Sequence, residues 1–239
     1  MEKTDHLWPG GFGFLFDDAL FPPSTDTFLL GYFTRTRRGD RVCDLGAGTG
    51  LLGLLLLARQ PELTVTGVEL QPAACDLARR TAALNGLEDR LLPVCADLRQ
   101  PEALPRGAFD LAVANPPYFS VEAGAVSPDS ARGAARSEIT CTLADVCAAA
   151  GRALRCGGRF SLVFRPERMA ELFQLLRQCR LEPKRLRFVQ YTAASAPSLL
   201  LLECRKGGRP GLAAEPPLLL KEPDGRDTAE ADQVYFRNR

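Results

Sequence analysis

Histidine is nearly missing from this chain: His6 is the only one in 239 residues, and it sits in a polar N-terminal stretch. Histidine is the side chain best suited to move protons near neutral pH and the commonest ligand of catalytic zinc. Its scarcity argues against Ser-His-Asp hydrolysis, histidine acid–base catalysis and most zinc chemistry. The eight cysteines, at 43, 75, 95, 141, 147, 156, 179 and 204, contain no Cys-x-x-Cys pair, so knuckle and dithiol redox spacings are lacking too. Several fall in apolar runs and read as small buried hydrophobes of a reducing compartment. No Gly-x4-Gly-Lys-Ser/Thr loop is present, which excludes a P-loop nucleotidase. The most apolar run, Leu51 to Ala58, is less than half the ~18 residues of a membrane span. The start, Met1 to Asp5, is unlike a secretory signal, so the expectation is a cytoplasmic protein with no membrane contact and no metal. Chemistry then falls to a cofactor or to carboxylates.

What is present is ordinary in bulk, with 46% hydrophobic and 25% charged residues. At about 150 residues per domain the length suggests one or two domains. The net charge of +1 conceals an asymmetry: residues 152–209 hold thirteen Lys and Arg against four Glu, whereas residues 1–151 hold thirteen basic and nineteen acidic side chains. Arginine supplies 26 of the 30 cations, and its planar fork suits phosphate. A nucleic-acid-facing surface and a set of solvated helix faces account for this equally well.

Strand and helix signals alternate through the middle of the chain, as in an α/β fold with a mostly parallel sheet. Strands are predicted at 41–45, 63–70, 91–96, 109–114, 159–164, 185–192 and 198–204. Helices are predicted at 51–60, from Pro72 to Asn85, from the capping box of Thr142 and Asp145 toward Leu154, and from Pro166 to Arg180. Cys156-Gly157-Gly158 reads as a turn. The last two strands have no helix between them and must be antiparallel neighbours, because a parallel crossover needs about a dozen residues. The expectation is a seven-stranded sheet closed by a hairpin. Residues 1–40 read as an N-terminal extension with a capped helix near Thr25, 41–210 as the main domain and 211–239 as a C-terminal tail. The Ala-, Gly- and Ser-rich segment 119–138 reads as a long loop.

Three acids stand at three successive strand ends. Asp44 opens the turn Asp44-Leu45-Gly46-Ala47-Gly48-Thr49-Gly50, whose glycines every second residue let a ligand approach the backbone. Glu69 lies where an acid would grip a ribose diol, and Asp97 follows on the third strand. Each alone is more often structural; in this order they are specific. The fourth strand runs into Asn115-Pro116-Pro117-Tyr118. The proline pair ends sheet pairing and holds Asn115 and Pro116 extended. The Asn115 side-chain oxygen and the Pro116 carbonyl can accept the two hydrogens of an amino group on a conjugated ring, and Tyr118 can stack on that ring.

The glycine turn with Glu69 and Asp97 resembles the first motifs of the class I, Rossmann-like methyltransferases that use S-adenosylmethionine. The resemblance implies that Gly46, Gly48 and Gly50 face the methionine part, that Asp44 reaches its amino group through water, that Glu69 takes the ribose hydroxyls and that Leu70 beside it also borders the cofactor. Asp97 and Leu98 would then take the adenine, and Asn115 would border the cofactor. Asn115-Pro116-Pro117-Tyr118 resembles the Asn-Pro-Pro-Tyr (NPPY) signature of amino methyltransferases. Together with Thr25-Asp26-Thr27, Arg165 to Arg168, Glu182 to Phe188 and Arg205 to Leu212, it is similar to the bacterial tRNA (adenine-N6) methyltransferases of the valine-tRNA type over roughly residues 10 to 225. That family modifies the adenine next to the anticodon, so tRNA is the implied partner, with Arg132, Arg136, Arg165 and Arg168 as candidate phosphate contacts and a monomer or homodimer as the assembly. Two stretches depart from the pattern: Arg136-Ser137-Glu138 where Arg-His-Glu is usual, and Phe21-Pro22-Pro23 at the N-terminal entry. The alternatives are a protein-glutamine N5 methyltransferase, which carries a helical substrate domain for which some forty residues leave no room, and a methyltransferase acting on another RNA or on DNA adenine. A cofactor- or RNA-binding module without activity would not need the complete set of acids and tetrapeptide.

Overall fold

The structure, a computed structural model, describes residues 1–18, 22–116 and 141–238. Tyr118, Arg132, Arg136 and the loop expected at 119–138 lie outside the described residues. Strands β1 (Glu2–His6) and β2 (Gly13–Asp17) form an antiparallel hairpin, followed by helix α1 (Thr25–Phe33). The chain then alternates through β3 (Arg41–Leu45), α2 (Leu51–Arg59), β4 (Thr64–Glu69), α3 (Pro72–Leu84), β5 (Leu91–Cys95) and β6 (Phe109–Ala114). After residue 140 come α4 (Leu143–Ala153), β7 (Leu154–Phe164), α5 (Met169–Gln178) and the long strands β8 (Leu181–Gln190) and β9 (Pro197–Lys206). The two-residue strands β10 (Ala213–Ala214) and β11 (Leu218–Leu219) and helix α6 (Ala229–Val234) complete it.

The sheet order is β10-β8-β9-β7-β6-β3-β4-β5, with β11 also laid along β8. β3 to β7 are mutually parallel, and β9 inserts antiparallel between β7 and β8. These are the seven expected strands with the expected closing hairpin; the two short strands raise the sheet to nine among the described residues. A sheet covered on both faces must be apolar on both, and the period of two shows it. Val42, Val65, Leu111, Val113, Val163 and Leu201 pack with α1 and α2, while Cys43, Val68, Ala112, Phe160, Leu162 and Leu202 pack with α4 and α5. In α2 the residues from Leu51 to Leu57 are all buried. Each leucine so removed from water contributes about 1.5–3 kcal/mol. That outweighs the ~1 kcal/mol which Gly53 costs its first turn.

Three features beyond the expected pattern have identifiable causes. The hairpin β1–β2 carries no alternation on β1, all five of whose residues are exposed. It is held through α3 instead: Leu15 N–H donates to Thr81 Oγ1 at 3.0 Å, Gly13 N–H donates to Asn85 Oδ1 at 2.9 Å, and Asn85 Nδ2 returns to the Gly13 carbonyl at 2.7 Å. β7 starts at Leu154 rather than at Arg159, because Gly157, at φ 74°, lets the strand continue past the expected turn, and its register against β6 shifts between Phe109 and Leu111. The helix expected from Pro166 to Arg180 opens as a 3-10 turn over Pro166–Arg168 and becomes α5 only at Met169; Arg180, at φ 58°, follows its end. Beyond residue 211 the chain folds back: Leu218 and Val234 are fully buried, and the Phe236 ring lies 5.2 Å from that of Trp8.

The parallel order reverses at β3, whose neighbours are β4 on one side and β6 on the other. Ligands of open α/β sheets bind outside the strand carboxyl ends at such a switch point. Asp44, Glu69 and Asn115 all come from the strands meeting there.

Candidate active site

The glycine turn leaves β3 with Gly46, Gly48 and Gly50 all in the left-handed region, at φ 76°, 54° and 81°. Residues with a Cβ lose about 1–2 kcal/mol each in this conformation, which accounts for the alternate glycines. The turn is fastened to β4, since the N–H groups of Gly46 and Ala47 both donate to the Val68 carbonyl, at 2.9 and 3.0 Å. Gly50 then caps α2 with no side chain of its own. Gly53, one turn in, lies so close to β4 and β5 that a Cβ would stand 2.8 Å from Leu91 Cδ1 and 3.0 Å from Val65 Cγ1.

Asp44 is 2% exposed, and its Oδ2 has no hydrogen-bond partner among the described residues. Burial pushes its pKa up to about 7, the nearby Glu69 charge adds to this, and the Gly53 N–H works in the opposite direction. A buried acceptor left orphaned is costly unless a ligand completes it. Here the vacancy in hydrogen bonding suits a donor, and an ammonium group best of all.

Glu69 is clamped across the turn: Oε2 accepts the Gly48 N–H at 2.9 Å and Oε1 the Gln71 N–H at 2.8 Å. Each carboxylate oxygen keeps a second lone pair, so a pair of hydroxyls can still be received. Leu70 beside it is 41% exposed, an apolar surface next to the acid. Asp97 lies two residues beyond the end of β5 rather than on it. Arg99 forks onto it, Nε at 2.9 Å from both oxygens and Nη2 at 2.6 Å from Oδ2, and the Arg99 N–H adds a third donor at 2.9 Å. These bonds hold the Asp97 carboxyl below the usual range against the effect of burial. Leu98 is buried, and its carbonyl accepts Arg152 Nη2 at 2.7 Å.

Asn115 directly follows β6, and Pro116 after it is buried. The Asn115 Nδ2 lies 3.0 Å from Thr27 Oγ1 and 3.4 Å from Ser24 Oγ, both at the start of α1. Neither hydroxyl figured among the candidate site residues. The sequence offered two signals there, a helix cap, which pointed to Thr25 where Ser24 is the cap, and the Thr25-Asp26-Thr27 motif of the family resemblance, and neither tied a hydroxyl to Asn115. Arg99 was missed as well, since an arginine two residues after an acid has no signature.

The structure brings Asp44, the glycine turn, Glu69, Leu70, Asp97, Leu98 and Asn115 to one edge of the sheet. Arg165, which follows β7, leaves the same edge and donates to the Ser198 carbonyl at 3.1 Å. Arg168 forks onto Glu171, with two contacts of 2.8 Å. Much of the positive charge of residues 152–209 is matched within the fold: Arg155 pairs with Asp110, Arg159 with Asp40, Arg185 with Glu203 and Arg187 with Glu230. Among the described residues no group of three or more His, Cys, Asp or Glu is placed to hold a metal ion, and no helix is long and apolar enough to cross a membrane.

The doubly wound sheet with its glycine turn and strand-end acids defines a methyltransferase of the Rossmann-like class. Residues 24–191 match the methyltransferase small domain, and a crystal structure described as a predicted O-methyltransferase from Agrobacterium tumefaciens shares the fold. It superposes with a TM-score of 0.74 at 24% identity, over 89% of this chain and 96% of that one. A tRNA1(Val) (adenine(37)-N6)-methyltransferase of Tolumonas auensis is 31% identical over 95% of this chain and 98% of its own. An enzyme of the same name from Dickeya chrysanthemi is 34% identical over 87% and 83%. The chain belongs to the family of these tRNA1(Val) (adenine(37)-N6)-methyltransferases. Its cofactor is S-adenosylmethionine, and the residues present fit it: the orphaned Asp44 oxygen suits the amino group, Glu69 the ribose hydroxyls and the exposed Leu70 an aromatic base.

Proposed function

We propose that this enzyme methylates the N6 amino group of an adenine in tRNA next to the anticodon; the relatives' names give adenine 37 of tRNA1(Val) for them. The observation that carries this reading is the position of Asn115. It leaves the central sheet at the switch point, one strand from the glycine turn, and opens the tetrapeptide Asn115-Pro116-Pro117-Tyr118.

When bound, the cofactor supplies a methyl group on a sulfonium, already activated for transfer. The adenine nitrogen is a poor nucleophile because its lone pair is delocalised into the ring. Asn115 Oδ1 and the Pro116 carbonyl accept its two hydrogens, draw it toward tetrahedral geometry and turn the lone pair out of the ring plane. Tyr118 stacks on the base, which is flipped from its neighbours into the site. The barrier falls through positioning and oriented dipoles rather than through a protonic base, consistent with a chain that has one histidine, and the methylated nitrogen, cationic once the bond has formed, sheds its extra proton to solvent. Asp44, Gly46, Gly48, Gly50, Glu69, Leu70, Asp97 and Leu98 hold the cofactor. Arg132, Arg136, Arg165 and Arg168 contact RNA phosphates, the last by exchanging Glu171 for a phosphate. Residues 41–210 form the methyltransferase domain, with 1–40 as an extension packed on it and 211–239 as a C-terminal tail, and the enzyme works in the cytoplasm as a monomer or homodimer.

The test is incubation with labelled cofactor and tRNA from a strain lacking the enzyme, followed by nucleoside analysis. Label in N6-methyladenosine is expected, with Asn115→Ala lowering turnover by at least about a hundred-fold, in line with loss of a transition-state hydrogen bond. Label appearing in protein glutamine instead would overturn the reading.

A further inference from the structure

The start of α1 is built differently from that of α4. At α4 the cap Thr142 and the third helical residue Asp145 form a reciprocal box, each side chain bonding the other's backbone. At α1 the cap is Ser24, whose Oγ accepts the Thr27 N–H at 3.4 Å, but the third helical residue is Thr27 and returns nothing to the cap backbone. Its Oγ1 lies 3.0 Å from Ser24 Oγ and 3.0 Å from Asn115 Nδ2, 88 residues further along the chain. A β-branched residue is a weaker helix former here than Glu or Gln, which would also complete the box. Capping therefore does not call for the Thr27 hydroxyl, whereas Asn115 does.

An asparagine amide turns about χ2 in a broad, nearly two-fold well, and its two ends have almost the same shape. A site that needs the oxygen toward substrate must hold the nitrogen elsewhere. Thr27 Oγ1 and Ser24 Oγ both claim the Nδ2 end from the α1 side, which directs Oδ1 to the other side of Cγ. The Ser24 oxygen already accepts a backbone N–H, so its own hydrogen is best used toward Thr27, leaving Thr27 with an acceptor lone pair for the amide.

We infer that Thr27, supported by Ser24, is a positioning residue that sets the orientation of the Asn115 amide for transfer to the amino group. The inference rests on the proposed role of Asn115. Thr27→Val keeps the shape and the β-branch and removes only the hydroxyl. It is expected to lower kcat on tRNA about ten-fold, the scale of one lost hydrogen bond to a reacting group. Cofactor Kd, KM for tRNA and Tm should stay within two-fold or unchanged, and Thr27→Ser should restore the rate. In an Asn115→Ala background, Thr27→Val should cause no further loss, because it acts through that side chain. A Thr27→Val rate within two-fold of the parent would overturn the inference, as would a loss that serine does not restore, or one that adds fully to Asn115→Ala. A readout independent of turnover comes from the side-chain amide signals of asparagine-labelled protein, with Asn115 assigned by its absence in Asn115→Ala. Thr27→Val should shift those signals and quicken their exchange, and unchanged signals would also overturn it. A parent enzyme that leaves tRNA adenine unmethylated while the amide signals respond would instead strike at the proposed function and leave this contact standing.

Discussion

Arg99 holds Asp97 in a fork, with the two side chains only two residues apart. The acid assigned to the adenine ring is thus already engaged, and how firmly decides whether Arg99 competes with the cofactor. Arg99 is 44% exposed and Asp97 18%. An exposed pair of this kind is worth about 0–1 kcal/mol, and the carboxylate still has a lone pair for a further donor. Arg99→Ala should therefore change cofactor affinity by less than about five-fold. Asp97→Ala, which on the proposed assignment removes a hydrogen bond to the adenine, should weaken it at least about ten-fold. Titration calorimetry of both variants checks this; equal losses would make Arg99 part of the adenine site rather than a local partner of Asp97.

Asp44 should make both stability and cofactor affinity depend on pH near neutrality. Its pKa in the folded protein, about 7, lies above the ordinary carboxylate value. The folded state therefore binds the proton more tightly than the unfolded state, and stability of the ligand-free protein falls as pH rises toward 7. Asp44→Asn should abolish that part of the slope in denaturant titrations. Pairing with a cationic amino group favours the ionised acid, so cofactor affinity should rise several-fold between about pH 6 and about pH 8, with release of a proton on binding near pH 6. Calorimetry in buffers of different ionisation enthalpy measures that proton, and its absence would contradict the pairing.

Gly50→Ala should be more harmful than Gly39→Ala. Both glycines are left-handed, at φ 81° and 75°, so both substitutions meet a strain of about 1–2 kcal/mol. At Gly39 nothing lies within 4 Å of an added Cβ, whereas at Gly50 it would stand 3.2 Å from the Ala78 Cβ. Denaturant unfolding should show the larger loss for Gly50→Ala, and only that variant should also bind cofactor less tightly. Equal losses would mean that α3 moves aside freely.

The order of elements, the parallel character of the sheet and the positions of Asp44, Glu69 and Asn115 could be read along the chain because each rests on local chemistry. A run buried on both faces is apolar throughout, a crossover helix needs its length, and a proline pair directly after β6 ends its pairing. The hairpin β1–β2 could not be read: its outer strand is polar, and it is anchored by Thr81 and Asn85 from a helix some 66 to 72 residues away. The same holds for charge. Thirteen cations between 152 and 209 fitted an RNA surface and solvated helix faces equally well, yet Arg159 reaches back to Asp40 and Arg185 lies 3.7 Å from the Phe33 ring centre, so that several of them fasten the fold. Asn115 belongs to both lists. Its residue type and its place after the fourth predicted strand follow from sequence, because proline geometry and strand pattern are local. The direction in which its amide faces was decided only when folding brought the first turn of α1 beside it, because hydrogen bonds depend on distance in space and not on separation along the chain.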